Sequence, residues 1–256
     1  FWTYGDGYAK ITAYQMGLKV LGWEQYVYAH ADRLVPKYEA AARLLRRSRY
    51  SHKIEVIYNS IYLQRFYDLQ PRLSKGQRLR IINVGRQFAG KDQRPLILAL
   101  RSIDAELTLV GTGPLRSALE ETARGAGVSD RVTFIDAVAN AKLPDIFKGH
   151  HVFAMNIVQP GISMTVMEAM ALGFPIVINR PRWESEPEVC GSCARIVDGG
   201  ADGFATAFSE FLADPDLVIR QGAKSRSTIQ AHSGEEMERQ EQELLAELMA
   251  KKVACV

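Results

Sequence analysis

Three short stretches of this chain gather residue types that could act on an anion. The first reads Val84-Gly85-Arg86-Gln87-Phe88-Ala89-Gly90-Lys91 and sets two cations on one glycine-flanked loop. An arginine can grip two phosphate oxygens at once, and a lysine adds a compact point charge. Together they suit a diphosphate whose charge grows as it departs. The bland alternative is a solvated loop, since arginine and lysine are common on surfaces.

The second stretch, Gly111-Thr112-Gly113-Pro114-Leu115-Arg116, has the opening spacing of a dinucleotide-binding turn, and Asp136 stands where a ribose-binding acid would follow. Two features count against that reading. Arg116 occupies the third glycine position, and the motif follows the second strand-like run rather than the first. The glycines could equally make a tight turn into a helix.

The third stretch runs from Pro160 through Gly161, Ile162, Ser163, Met164 and Thr165 to Glu168 and Gly173. Ser163 reads as an N-cap, which would leave the amides of Met164 and Thr165 pointing out of a helix as a metal-free seat for phosphate. Glu168 lies just over a turn further on, within reach of two ribose hydroxyls, although a lone helical glutamate is more often solvated.

Elements able to position these residues follow from periodicity. From residue 79 onward, β-branched runs at 79–84, 105–110, 131–135, 151–155, 175–178 and 194–197 alternate with amphipathic stretches, and one of these stops at Gly173. That alternation predicts a parallel sheet covered on both faces, with ligands collecting beyond the carboxyl ends of its strands. Residues 1–63 differ. Helices at about 8–20, 23–31 and 37–50 and strands at 33–35 and 53–58 are too few for a domain and read as the last part of another α/β unit. Residues 64–78, with Pro71, Ser74 and Gly76 amid charge, have linker composition. The sheet domain then covers 79–233, and residues 234–256 read as a helix crossing between the two parts. The first residue is Phe1, and the opening FWTYGDGYAK reads like the middle of a longer chain, so further N-terminal sequence is expected.

Composition narrows the class. At 256 residues, 47% hydrophobic and 24% charged, the chain is an ordinary globular one, and 32 basic against 29 acidic residues give +3, too little to imply a nucleic-acid partner. No run approaches the roughly 20 apolar residues of a membrane span, and no secretory signal opens the chain, so a cytoplasmic location is expected. Arg43, Arg46, Arg47, Arg49 and Lys53 form a basic cluster that could touch anionic headgroups or simply be a solvated face; no Trp or Phe stripe accompanies it in the linear sequence. Cys190-Gly191-Ser192-Cys193 has redox spacing but the wrong setting, and small buried thiols are the default for these and for Cys255.

Taken in order, VGR with Lys91, LVGTGPLRSALE, GVSDRVTF, LPDIF and MEAMALGFPIV resemble the C-terminal domain of glycosyltransferase family four, a large group of retaining GT-B enzymes. The stretch from Tyr58 to Phe66 resembles that family's interdomain passage, and ADRLV at 31–35 its preceding strand. The resemblance implies an α/β fold of GT-B type, with one complete Rossmann-like parallel sheet domain at 79–233. Residues 1–63 would then be the C-terminal part of a second, acceptor-side Rossmann-like domain. It also implies a nucleotide-sugar donor, a glycan, lipid or small-molecule acceptor, and no metal or other cofactor.

Carried over residue by residue, Arg86 and Lys91 would stabilise the departing diphosphate, and Gly85 of the same loop would bind the donor. Gly111 and Gly113 would bring backbone close to the donor, and Val138 would meet the base. Gly161, Ile162, Ser163, Met164 and Thr165 would offer backbone groups, and Glu168 would bind ribose. The departing phosphate oxygen would help activate the acceptor. The sequence departs from the family pattern at Pro160, where the first of two glutamates is usual, and also at Asp92 and Asp136, where glycine is common. Pro160 raises the alternative of a catalytically silent, sugar-nucleotide-binding subunit, while GTGPLR with Asp136 keeps an NAD-dependent oxidoreductase open. The chain by itself is expected to bind donor and turn over poorly.

Overall fold

A computed structural model of the chain describes residues 22–157, 163–180 and 193–254. Its first elements are α1 (Trp23–His30) and α2 (Glu39–Arg46). Lys53 Nζ gathers the carbonyls at the end of α1, donating to Tyr28 O (3.2 Å), Ala29 O (2.7 Å) and Ala31 O (2.8 Å). A cation there also meets the negative end of the helix dipole. Tyr50 Oη donates to Gln25 O at 3.3 Å, so α1, whose Trp23, Tyr26 and Val27 are exposed, packs on the 49–53 end of the basic cluster. The linear sequence hid this because the two segments are far apart along the chain.

The strands expected at 33–35 and 53–58 reduce to a single parallel bridge between Leu34 and Ile54. Leu34 N–H donates to Lys53 O (2.8 Å) and Glu55 N–H to Leu34 O (3.0 Å), while Ser51–Lys53 form a 3-10 turn. Apolar β-branched residues suit a pleated surface, but a strand persists only where a ladder of partners continues. The helix expected at 8–20 lies outside the described residues.

The sheet is parallel throughout. Its strands are β1 (Leu79–Val84), β2 (Ala105–Val110), β3 (Val132–Ile135), β4 (Val152–Met155), β5 (Ile176–Asn179) and β6 (Ala194–Val197), ordered β3-β2-β1-β4-β5-β6. Strand order reverses between β1 and β4, which opens a crevice at their carboxyl ends. Among the described residues, seven further helices follow in chain order: α3 (Arg94–Ala99), α4 (Arg116–Gly125), α5 (Leu143–Phe147), α6 (Met164–Ala171), α7 (Ala201–Ala213), α8 (Asp216–Gln230) and α9 (Gly234–Ala254).

Side chains alternate across the sheet with the period-two geometry of a strand. Ile81 and Leu107 join Leu96, Phe204 and Phe208 in a core on one face, while Ile82 and Phe153 join Met167 and Met170 on the other. Burial on both faces is why these strands read as continuous apolar runs. Each fully buried side chain of this size contributes roughly 1.5–3 kcal/mol.

α6 ends in a left-handed closure at Gly173 (φ 82°), with Gly173 N–H donating to Met170 O and Phe174 N–H to Ala169 O, both at 3.0 Å. A Cβ on Gly173 would lie 2.2 Å from Asp68 Oδ1, so the passage from the first elements to the sheet crosses directly over this turn. The passage is fixed at a second point. Ile61 N–H donates to His232 O (3.0 Å) and its carbonyl accepts from Gly234 N–H (2.9 Å), so Ile61 is held at the junction of α8 and α9. From there α9 lies on the first elements. Met237 and Leu244 pack with Ile57, and the pairs Lys37–Glu241 (2.5 Å) and Arg33–Glu247 (3.2 Å) flank them.

Candidate functional site

The loop after β1 is an extension of the sheet. Gly85 N–H donates to Val110 O (2.9 Å), Gln87 N–H to Thr112 O (3.0 Å), and Leu115 N–H to Gln87 O (3.0 Å). These bonds lay residues 85–87 alongside 111–115. The glycines of the second motif make that contact possible: a Cβ on Gly111 would lie 2.2 Å from Gly85 O, and one on Gly113 2.2 Å from Gln87 O. Loop-on-loop packing is thus a physical reason for both. Gln93 Nε2 donates to Arg86 O (3.3 Å), the Arg86 guanidinium lies 5.6 Å from the Phe88 ring centre, and Asn156 Nδ2 donates to Asp92 O (2.9 Å). The 3-10 turn Ala89–Lys91 then carries Lys91 across toward α6.

Ser163 occupies the N-cap position of α6 in extended backbone, yet its hydroxyl caps no amide. It accepts instead from Lys91 Nζ at 2.7 Å and lies 2.9 Å from Thr165 Oγ1. The capping role read from sequence is corrected by this geometry: a neighbouring ammonium out-competes a backbone N–H for the oxygen, because charged donors make the stronger bond. The first-turn amides of Met164 and Thr165 have no partner within the helix and face its open end.

Glu168, one turn further in, is only 7% exposed. Burial pushes its carboxyl up to about 7, opposed by the attraction of Lys91. Burial pushes the Lys91 ammonium below its usual range, Glu168 supports its charge, and Arg86 repels it. Gly85, Arg86, Lys91, Ser163, Thr165 and Glu168 therefore share one electrostatic neighbourhood at the β1/β4 crevice. Val138 is half-buried against the α6 side of the sheet. Gly161 and Ile162, with Gln159 and Pro160, lie outside the described residues.

Asp136 faces Arg116 at 3.4 Å, and Arg116 also pairs with Glu120 (2.6 Å) and lies over the Phe134 ring. The acid required by the dinucleotide reading is thus turned to an arginine. Cys193 is buried and its carbonyl accepts from Ser225 Oγ at 3.2 Å, while Cys190 and Cys255 lie outside the described residues. Among the described residues, no group of three or more His, Cys, Asp or Glu is placed to hold a metal ion, and no helix is long and apolar enough to cross a membrane.

Sequence reasoning missed Asn179. Its Nδ2 donates to Ile157 O (2.8 Å) and its Oδ1 accepts from Ile157 N–H (2.5 Å), clamping the end of β4 to the end of β5. The available signal was a polar residue closing the apolar run IVIN. Beside this clamp lies a cavity of about 440 Å³ lined by Asp92, Asn156, Asn179, Arg180 and Asp198, among others.

Residues 78–214 match the model of the family described as Glycosyl transferases group 1. Among curated proteins, the GDP-mannose-dependent alpha-(1-6)-phosphatidylinositol monomannoside mannosyltransferase of Mycobacterium tuberculosis is 30% identical over 181 residues, covering 64% of this chain and 46% of that protein. The lipopolysaccharide core biosynthesis glycosyltransferase LpsD of Rhizobium meliloti is 29% identical over 160 residues, 60% of this chain and 45% of its own. The chain thus spans about half the length of the relatives it matches. Among solved structures, sucrose-phosphate synthase from Thermosynechococcus elongatus superposes with a TM-score of 0.77 at 23% identity, over 89% of this chain and 61% of that one. Anabaena HepE in complex with UDP and glucose gives 0.76 at 17%, over 91% and 67%. These likenesses show the GT-B type of fold, with one Rossmann-like sheet and an additional helical region. The family match takes in more than half of the residues, and the chain belongs to the glycosyl transferases group 1.

Proposed function

We propose that this chain carries the donor side of a glycosyltransferase that moves a sugar from a nucleoside diphosphate sugar to an acceptor hydroxyl, with retention at the anomeric carbon. The observation that carries the reading is the 2.7 Å contact between Lys91 Nζ and Ser163 Oγ, which joins the cation loop of β1 to the open end of α6. A diphosphate there would meet Arg86, Lys91 and the amides of Met164 and Thr165, so preorganised positive charge stands where leaving-group charge develops. The glycosidic C–O bond to phosphate breaks, the acceptor oxygen bonds to the same face of the anomeric carbon, and its proton passes to the departing phosphate oxygen. That set of charges can stabilise the leaving group without a metal. Glu168, when ionised, accepts from two ribose hydroxyls. Val138 borders the base, and the family resemblance assigns Gly161 and Ile162, outside the described residues, to the sugar.

GDP is the first nucleotide to try, because the mycobacterial relative is named as GDP-mannose-dependent. The names of the relatives also favour a lipid-linked saccharide as acceptor. The exposed apolar residues Trp23, Tyr26 and Val27 and the exposed Arg46, Arg47 and Arg49 favour peripheral contact with an anionic membrane surface. Residues 1–63 are read as part of the acceptor side, 64–78 as linker, and α9 as an interface helix.

Titration calorimetry of residues 1–256 with GDP, UDP, ADP and NAD tests the donor reading. Binding of one nucleoside diphosphate, lost in Arg86→Ala and Lys91→Ala, is expected. Binding of NAD with no response to the others would overturn it. Spanning about half its relatives' length, the chain is expected to bind donor without transfer. Pro160 favours one second reading, a silent donor-binding subunit. Binding with neither donor hydrolysis nor transfer in the full-length protein would select it.

A further inference from the structure

We infer that Ser163 is a positioning residue: its hydroxyl, shared with Thr165, fixes the Lys91 ammonium at the open end of α6 before any anion arrives. The oxygen lies 2.7 Å from Lys91 Nζ and 2.9 Å from Thr165 Oγ1, and it caps no backbone amide of the helix it precedes. At an N-cap position, a serine hydroxyl ordinarily serves its own helix. Here it serves a side chain 72 residues upstream.

The arrangement has a chemical use. A lysine stem carries much rotamer freedom, which a bound anion would otherwise have to quench. A neutral hydroxyl restrains the ammonium without neutralising it, whereas a carboxylate at the same place would close the pair and remove the cation from service. Glu168, the nearby acid, is buried within α6 and acts on Lys91 through space. Burial already weakens the charged form of Lys91, so each acceptor that favours that form matters more than it would in water.

The inference rests on the diphosphate reading only for its binding arm, and the test has two independent readouts. In the ligand-free chain, the 13Cε shift of Lys91, assigned with Lys91→Met, is followed against pH. Ser163→Ala removes an acceptor that favours the ammonium, so the Lys91 titration should move to lower pH, and Ser163→Thr should restore it. In calorimetry with inorganic pyrophosphate, Ser163→Ala should weaken binding about ten-fold. Added to Lys91→Met, the same change should cost little more, because it acts through Lys91. Any loss of melting temperature at neutral pH should accompany the fall in the Lys91 titration, since the folded ammonium loses an acceptor while no helix amide loses a cap. A lowered melting temperature with an unmoved Lys91 titration would show that the hydroxyl serves the helix, which overturns the inference. If pyrophosphate fails to bind the unmodified chain, the diphosphate reading falls, while the Lys91 titration still decides the role of Ser163.

Discussion

Replacing Glu168 with glutamine should change how the stability of the chain depends on pH. The carboxyl is raised from an ordinary 4.5 to about 7, with burial as the main cause. The folded chain therefore keeps a proton that the unfolded chain releases, so stability falls as pH rises from about 4.5 and the penalty is complete above about 7. The difference of 7 − 4.5 is about 2.5 pK units, which sets an upper bound of about 3 kcal/mol. Part is offset in the variant because Lys91 loses the carboxylate that supports its charge. Urea midpoints at pH 5, 6, 7 and 8 would read the effect. The two proteins should coincide near pH 4.5 to 5, and Glu168→Gln should be the more stable by about 1–3 kcal/mol at pH 8. His150, His151 and His232, each held below its usual range by burial, push the other way across part of this window, but they are common to both proteins and cancel in the difference. Parallel curves from pH 5 to 8 would refute the reasoning.

Three other substitutions probe the supports of the site. Gly113→Ala drives a Cβ to 2.2 Å from Gln87 O; it should destabilise the chain by roughly 1–3 kcal/mol in urea denaturation and weaken nucleoside diphosphate binding by displacing the Arg86 loop. Asn179→Ala strips both partners from Ile157, and a loss of roughly 1–3 kcal/mol is expected in the same assay. His151, whose Nδ1 accepts from Arg80 N–H at 2.9 Å, is pushed down to about 4 by burial first, then by Arg80 and His150. The unfolded chain protonates it near 6.5, so its stabilising effect is lost as pH falls from about 6.5 through 4; His151→Asn keeps an acceptor and should flatten that acid limb in thermal denaturation.

The sheet was legible in the sequence because its physics is local. Strands buried on both faces must be apolar and β-branched, and the runs at 79–84, 105–110 and 194–197 coincide with β1, β2 and β6. The run at 53–58 has the same composition but forms only the Leu34–Ile54 bridge, because pairing depends on partners that composition does not report. Arg86, Lys91 and Glu168 stood out by type and spacing, whereas the work of their neighbours did not. Whether Ser163 caps a helix or restrains a lysine depends on what the fold brings within 2.7 Å of it. Asn179 looked like any polar residue after a strand, and its clamp on Ile157 exists only once β5 lies beside β4. Gly111 and Gly113 were visible as a motif, but their reason is the backbone packed against them.

The pinning of Ile61 between His232 and Gly234 has a mechanical consequence. The polypeptide leaves the first elements near residue 61 and returns to them near residue 233, and these two passages are bonded to one another. A swing of α9 with its Ile57 cluster relative to the sheet would turn about this doubled seam, bending two adjoining backbone segments while the interior packing on either side stays whole. A Cβ on Gly234 would lie 2.6 Å from the Tyr62 ring, so a bulkier residue at this pivot would jam it.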